Sequence, residues 1–129
     1  MKKILIVTAN YYPEISKQLE THAVKTLSNF DCKKISSPGV FEIPVLISKN
    51  IDHFDGFVAL GCVIKGQTPH FDFISSSVNN GLMQLAIQNK KPIGNGVLTC
   101  LNKEQAIARV KKGIEAAEAV IKVIENVAK

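Results

Sequence analysis

His70 stands where an imidazole could move protons at a bound ligand. In Gly61-Cys62-Val63-Ile64-Lys65-Gly66-Gln67-Thr68-Pro69-His70, an apolar run that begins at Phe57-Val58-Ala59-Leu60 passes through a glycine turn to a histidine. The run reads as a strand covered on both faces of a parallel sheet. Gly66 ends it, Thr68 suits a helix cap, Pro69 suits the first helical position, and His70 then falls in the first turn. Backbone N–H groups and the positive helix end would meet the imidazole there. An imidazole so placed can exchange a proton with a ligand whose phosphate is held at the helix end. His22 and His53 have no such setting and read as surface or satisfied core residues.

Other residue types point to the same chemistry. Arg109 is the only arginine in a lysine-rich chain. A helix-surface arginine is the plain reading, but its planar fork can also hold a phosphate bidentately, which an ammonium cannot reproduce. Tyr11, in Asn10-Tyr11-Tyr12 just after an apolar run, is placed either to pack or to stack on a ring. Glu42 falls in the first turn of an expected helix, where negative charge is favourable.

These residues need a frame. Apolar runs at Ile4 to Thr8, Cys32 to Ile35, Phe57 to Ile64 and Val97 to Leu101 read as strands and alternate with amphipathic stretches. Ile15, Leu19, Ala23 and Leu27 form one helical stripe, and Ile74, Val78, Leu82 and Leu85 another. A shorter helix is expected between Glu42 and Asn50, with Pro44 tolerated in its first turn. Right-handed crossovers between parallel strands put helices on both faces of the sheet, and ligands then sit at the strands' carboxyl ends. Those ends carry Asn10 to Pro13, Ser36 to Glu42 and Gly66 to His70, so three segments should converge on one edge. Near the C-terminus, Ile107, Val110, Ile114, Ala117, Ile121, Ile124 and Ala128 predict one long helix with an apolar seam. Ala116, Ala119, Val120 and Val123 widen it beyond what a small monomer leaves exposed, which reads either as a fully covered C-terminal helix or as a subunit interface.

A chain of 129 residues is expected to be one domain, 1–129, able to bury roughly two-thirds of its unfolded surface. Cys32, Cys62 and Cys100 are an odd set without paired ligand spacing, so reduced thiols in the cytoplasm are expected and a zinc site is not. The apolar start at Ile4 is cut short by Thr8-Ala9-Asn10, too early for a signal peptide or membrane span. The net charge of +5 comes from scattered lysines with no alternating aromatics, which argues for a solvated surface rather than a nucleic-acid groove.

Three motifs in order carry a family resemblance: Gly39-Val40-Phe41-Glu42-Ile43-Pro44, then Gly61 to His70, then Gly96-Val97-Leu98-Thr99 with Glu104 to Arg109. From about Ile4 to Ala119 the chain resembles the 6,7-dimethyl-8-ribityllumazine synthases of riboflavin biosynthesis. The resemblance implies a flavodoxin-like, three-layer α/β/α sandwich around a four-stranded parallel sheet. It implies condensation of 5-amino-6-(D-ribitylamino)uracil with 3,4-dihydroxy-2-butanone 4-phosphate, without metal or redox cofactor. It also implies a pentamer with sites shared between neighbouring subunits.

Carried over by position, His70 corresponds to the proton shuttle. Tyr11 faces the pyrimidine and Glu42 the ribityl hydroxyls, while Val40, Phe41, Cys62, Val63 and Ile64 line the pyrimidine pocket, several through backbone groups. Gly66, Gln67, Thr68 and Arg109 fall to the phosphate. Lys112 aligns with the family's second basic residue, although the segment from Arg109 is shorter than usual and Lys111 or Lys65 would serve as well. Asn95 replaces an aromatic common in the family. Its place early in the fourth strand, away from the carboxyl edge, makes best sense at a neighbour's site. The short segment before the first strand favours a free pentamer over a larger shell.

Two related readings compete. An archaeal-type riboflavin synthase would not need the Gly66 loop or Arg109, and a noncatalytic flavin- or lumazine-binding protein would not need His70 with Arg109. A response-regulator or dinucleotide-binding module lacks its acidic pocket or glycine fingerprint.

Overall fold

The apolar runs form strands because both of their faces are covered. In the computed structural model, which describes residues 1–128, β1 (Lys3–Ala9) buries everything after Lys3, and β3 (Gly56–Ile64) buries everything before Val63. Lys129, the last residue of the expected domain, lies outside the described residues. β2 (Asp31–Ser37) and β4 (Ile93–Cys100) flank this pair, giving the parallel order β2-β1-β3-β4.

Helices cover both faces, so the architecture is a three-layer, flavodoxin-like α/β/α sandwich. On one side α1 (Pro13–Thr26), α4 (Lys103–Ala108) and α5 (Lys112–Glu125) pack on Ile4, Ile6, Val58, Leu60 and Leu98. On the other, α2 (Ile43–Lys49) and α3 (His70–Asn89) pack on Leu5, Val7, Phe57 and Ala59. The α1 stripe of Ile15, Leu19, Ala23 and Leu27 is fully buried, each large side chain contributing about 1.5–3 kcal/mol by leaving water. Val78 and Leu82 do the same for α3, with Ile74 and Leu85 half-buried beside them.

The strands run longer than the apolar residues alone predict. β2 extends to Asp31 and Ser37, and β4 begins at Ile93 and stops before Leu101. The start of β4 reads as Gly94-Asn95-Gly96, which resembles a turn. Those glycines instead admit α5, because a Cβ on Gly94 would overlap the Ala116 carbonyl.

The single C-terminal helix is overturned. Arg109, Val110 and Lys111 form a break, and Arg109, Lys112 and Gly113 donate to carbonyls three residues back rather than four. Only Val110 and Ala117 of the expected seam are buried, Ile107 is 48% exposed, and Ala128 lies beyond α5. The face that packs is made of small residues, Gly113, Ala116, Ala117 and Val120. A Cβ on Gly113 would collide with the Leu19 carbonyl, so α5 lies almost against the α1 backbone. Ala116 and Val120 thus belong to the core, whereas Ala119 and Val123 remain exposed.

Candidate active site

From β1 the chain turns outward to β2, and β3 returns to the opposite flank of β1, so a crevice must open beyond the carboxyl ends of β1 and β3. A cleft of about 330 Å³ lies there. The segment after β1 supplies Tyr11 and Tyr12, and the one after β2 supplies Gly39, Val40, Phe41 and Glu42. Cys62, Val63 and Ile64 come from β3, and His70 and Ile74 from α3.

Local packing explains why these segments meet. Val40 leads a 3₁₀ turn, Val40–Glu42, and is buried against β3 at Gly61. A Cβ at Gly61 would stand 2.7 Å from Val40 Cγ1, so any other residue there would push the turn off the sheet. Glu42 closes that turn and precedes α2, its carboxylate lying over Gly39. Pro44, in the first turn of α2, packs beside Gly81 of α3 and ties the two helices together.

His70 is the first residue of α3 and is exposed to the cleft. Pro69, not Thr68, occupies the cap position, one residue later than the sequence suggests. Thr68 still serves the helix end, because the His70 N–H donates to Thr68 Oγ1 at 3.3 Å. Proline has no N–H of its own, so the first donor available beyond it is His70.

Tyr11 is 73% exposed and meets Tyr12 edge to face, with ring centroids 5.0 Å apart. Burial, followed by Tyr11, raises the Tyr12 phenol above its ordinary pKa. The Cys62 thiol is pushed up to about 11, first by burial and then by Cys100 and Glu14. It is therefore a protonated thiol near neutral pH, and the useful polar groups of β3 at the cleft are its backbone N–H and C=O.

A second group of expected residues does not line this cleft. Gly66, Gln67 and Thr68 form the exposed loop beside it. Arg109 sits at the break between α4 and α5, with Nη1 3.9 Å from Cys100 Sγ at the end of β4. Lys112 lies 4.0 Å from Glu115, an exposed pair. Lys65 is exposed and its N–H donates to the Cys100 carbonyl at 2.9 Å. Asn95 pairs in register with Ala59, and its Nδ2 donates to Asn79 Oδ1 at 2.8 Å. Five residues of strand, roughly 16 Å, separate it from the carboxyl end at Cys100.

Tyr12, Gly39 and Ile74 also line the cleft, although sequence reasoning assigns them no site role. Ile74 could have been found, since it stands one turn after His70 on the same helix face. Among the described residues no group of three His, Cys, Asp or Glu side chains is placed to hold a metal ion, and no helix is long and apolar enough to cross a membrane.

The family model described as 6,7-dimethyl-8-ribityllumazine synthase matches residues 1–128. Proteins bearing that name are similar across most of both chains. The one from Agrobacterium fabrum is 41% identical, the match covering 95% of this chain and 92% of its own. The one from Bartonella tribocorum is 41% identical over 92% and 85%, and that from Cutibacterium acnes 38% over 92% and 78%.

Proposed function

The chain belongs to the 6,7-dimethyl-8-ribityllumazine synthase family of transferases, and from that premise we propose that it condenses 5-amino-6-(D-ribitylamino)uracil with 3,4-dihydroxy-2-butanone 4-phosphate. Lumazine, inorganic phosphate and water are the products. The observation that carries this reading is the convergence of Tyr11, Glu42 and His70 from three separate segments on one cleft.

In this reading Tyr11 lies against the pyrimidine, and Phe41 and the backbone of Val40, Cys62, Val63 and Ile64 meet its edges. Glu42 accepts from the ribityl hydroxyls. The substrate amine adds to the ketone and loses water to form an imine, phosphate is eliminated, and the second nitrogen closes the ring. His70 relays protons between these steps, a role worth about a hundred- to ten-thousand-fold in rate. Holding both reactants together contributes further by replacing a bimolecular encounter. Asn102, the N-cap of α4, starts the segment that carries Arg109 to the sheet's carboxyl edge. From that edge Arg109, reaching a neighbouring subunit's site, balances the departing phosphate beside that site's Gly66, Gln67 and Thr68, with Lys112, Lys111 or Lys65 as the second basic group.

One chain leaves that site incomplete, because Arg109 and Asn95 stand outside its own cleft. This supports a homo-oligomer, a pentamer, in which a neighbour supplies both residues. Exposed Phe73, Met83 and Ile87 on α3 offer apolar surface for such contacts. Residues 1–129 would act as one domain. Three free thiols suit a reducing compartment, the cytoplasm.

The direct test mixes purified protein with both substrates and follows lumazine absorbance and phosphate release. Stoichiometric appearance of both is expected. No turnover by folded, oligomeric protein would overturn the catalytic reading in favour of a binding protein.

A further inference from the structure

Tyr11 is 73% exposed and packs edge to face on Tyr12, so the backbone on either side of it also governs where it stands. Asn10 follows β1 directly. Ser16 of α1, itself 1% exposed, donates from Oγ to Asn10 Oδ1 at 2.8 Å. Asn10 Nδ2 in turn donates to Ser36 Oγ of the edge strand β2 at 3.4 Å. One planar amide is thus gripped by two elements on different sides of the β1 end. The next residues are fixed from the other direction, since the Tyr12 carbonyl accepts from the Ile15 and Ser16 N–H groups, both at 3.0 Å. Glu14 then ties α1 to α4 through Lys103 at 2.6 Å.

We propose that Asn10 is a positioning residue, which through Ser16 and Ser36 sets the backbone at the cleft mouth so that Tyr11 meets the heterocycle without first being ordered. This rests on the reading of the cleft as the pyrimidine site. Preordering of one ring governs affinity for the pyrimidine more than the rate of proton transfer at His70. The polar inventory predicts which replacement is tolerated. Aspartate can accept from both serine hydroxyls, because the Ser36 hydroxyl is free to rotate and donate, whereas alanine makes neither bond.

The chain contains no tryptophan and two tyrosines, so Tyr12→Phe leaves Tyr11 as the sole long-wavelength fluorophore. In that background Asn10→Ala should lower the fluorescence anisotropy of Tyr11, and Asn10→Asp should restore it, with no substrate present. In turnover assays on the otherwise unaltered chain, Asn10→Ala should raise KM for the ribitylaminouracil by about three- to tenfold, the effect of one or two hydrogen bonds. Its kcat and its KM for the phosphorylated ketone should change by less than about twofold. Ser16→Ala should give a smaller rise that does not add to that of Asn10→Ala. Unchanged anisotropy in Asn10→Ala overturns the proposal, as does an equal loss in kcat and both KM values with no rescue by aspartate. A parent protein that binds the ribitylaminouracil but makes no lumazine would count against the reaction alone, and the anisotropy would still decide the positioning role.

Discussion

One group of expected site residues lines a cleft at the carboxyl edge of the sheet, and a second group stands outside it. Tyr11, Val40, Glu42, Cys62 and His70 hang from β1, β2, β3 and α3, and all face one cleft. Arg109 lies in the break after α4, Lys112 begins α5 and Asn95 stands farther back on β4, all outside that cleft. The first group lies around the switch in strand order, where topology itself makes a crevice. The second lies on and beside the edge strand β4, away from that switch, with Asn95 held by Asn79 of α3 and Arg109 near Cys100. Under the proposed function the first group would meet the heterocycle, and Arg109 would reach the phosphate in a neighbour's site.

The largest effect that tests this contrast is at His70. His70→Ala should slow lumazine formation by about ten- to a thousandfold while leaving uracil affinity nearly intact. Stopped-flow turnover with a separate binding titration measures both, and unchanged turnover would remove His70 from the chemistry. Next, Arg109→Lys should raise KM for the phosphorylated ketone by about ten- to a hundredfold, since the charge stays but the fork is lost. Equal losses for both substrates would instead make Arg109 a structural residue. Mixing His70→Ala with Arg109→Ala subunits sharpens the comparison, because recovered activity requires that the two residues of one site come from different chains.

A smaller effect belongs to the packing that holds the outward group in place. Gly113→Ala should cost about 1–2 kcal/mol of stability, because the new methyl meets the Leu19 backbone and α5 must shift away from α1. Chemical denaturation would show it, and an unchanged midpoint would mean that α5 is not held as closely as its small residues suggest.

The smallest effect concerns Cys62. Its folded pKa lies above that of a free thiol, so the folded state holds the proton longer. Stability linked to Cys62 is therefore complete below the ordinary thiol range of about 8.5 and falls as pH rises towards 11. Cys62→Ala should flatten the alkaline decline of the melting temperature, and the native thiol should react slowly with iodoacetamide at pH 8. Rapid alkylation of Cys62 in the folded protein would contradict its burial.

The cleft-lining half was the more legible in sequence, for a physical reason. Strands covered on both faces must be largely apolar, so Ile4 to Thr8 and Phe57 to Ile64 announce themselves, and the polar residues that follow them mark the edge where the cleft opens. The outward half misleads. Ile107, Ile114 and Ile121 suggest a seam by size and spacing, yet α5 packs through Gly113, Ala116 and Ala117, where closeness of backbones matters more than side-chain area. Periodicity shows that a helix has an apolar side but not that three residues will break it. Hydrogen bonds between distant elements, such as Asn10 with Ser16 and Ser36, leave no spacing rule to read.

The central place of β1 also bears on how the chain folds. Lys3–Ala9 pairs with Asp31–Ser37 on one flank and Gly56–Ile64 on the other, and each neighbouring pair in the sheet is parallel. No pair can close through a hairpin, so every strand contact waits for an intervening helix to cross over. Such long loop closures raise the sequence separation of the contacts the sheet needs, which slows folding relative to small helical bundles.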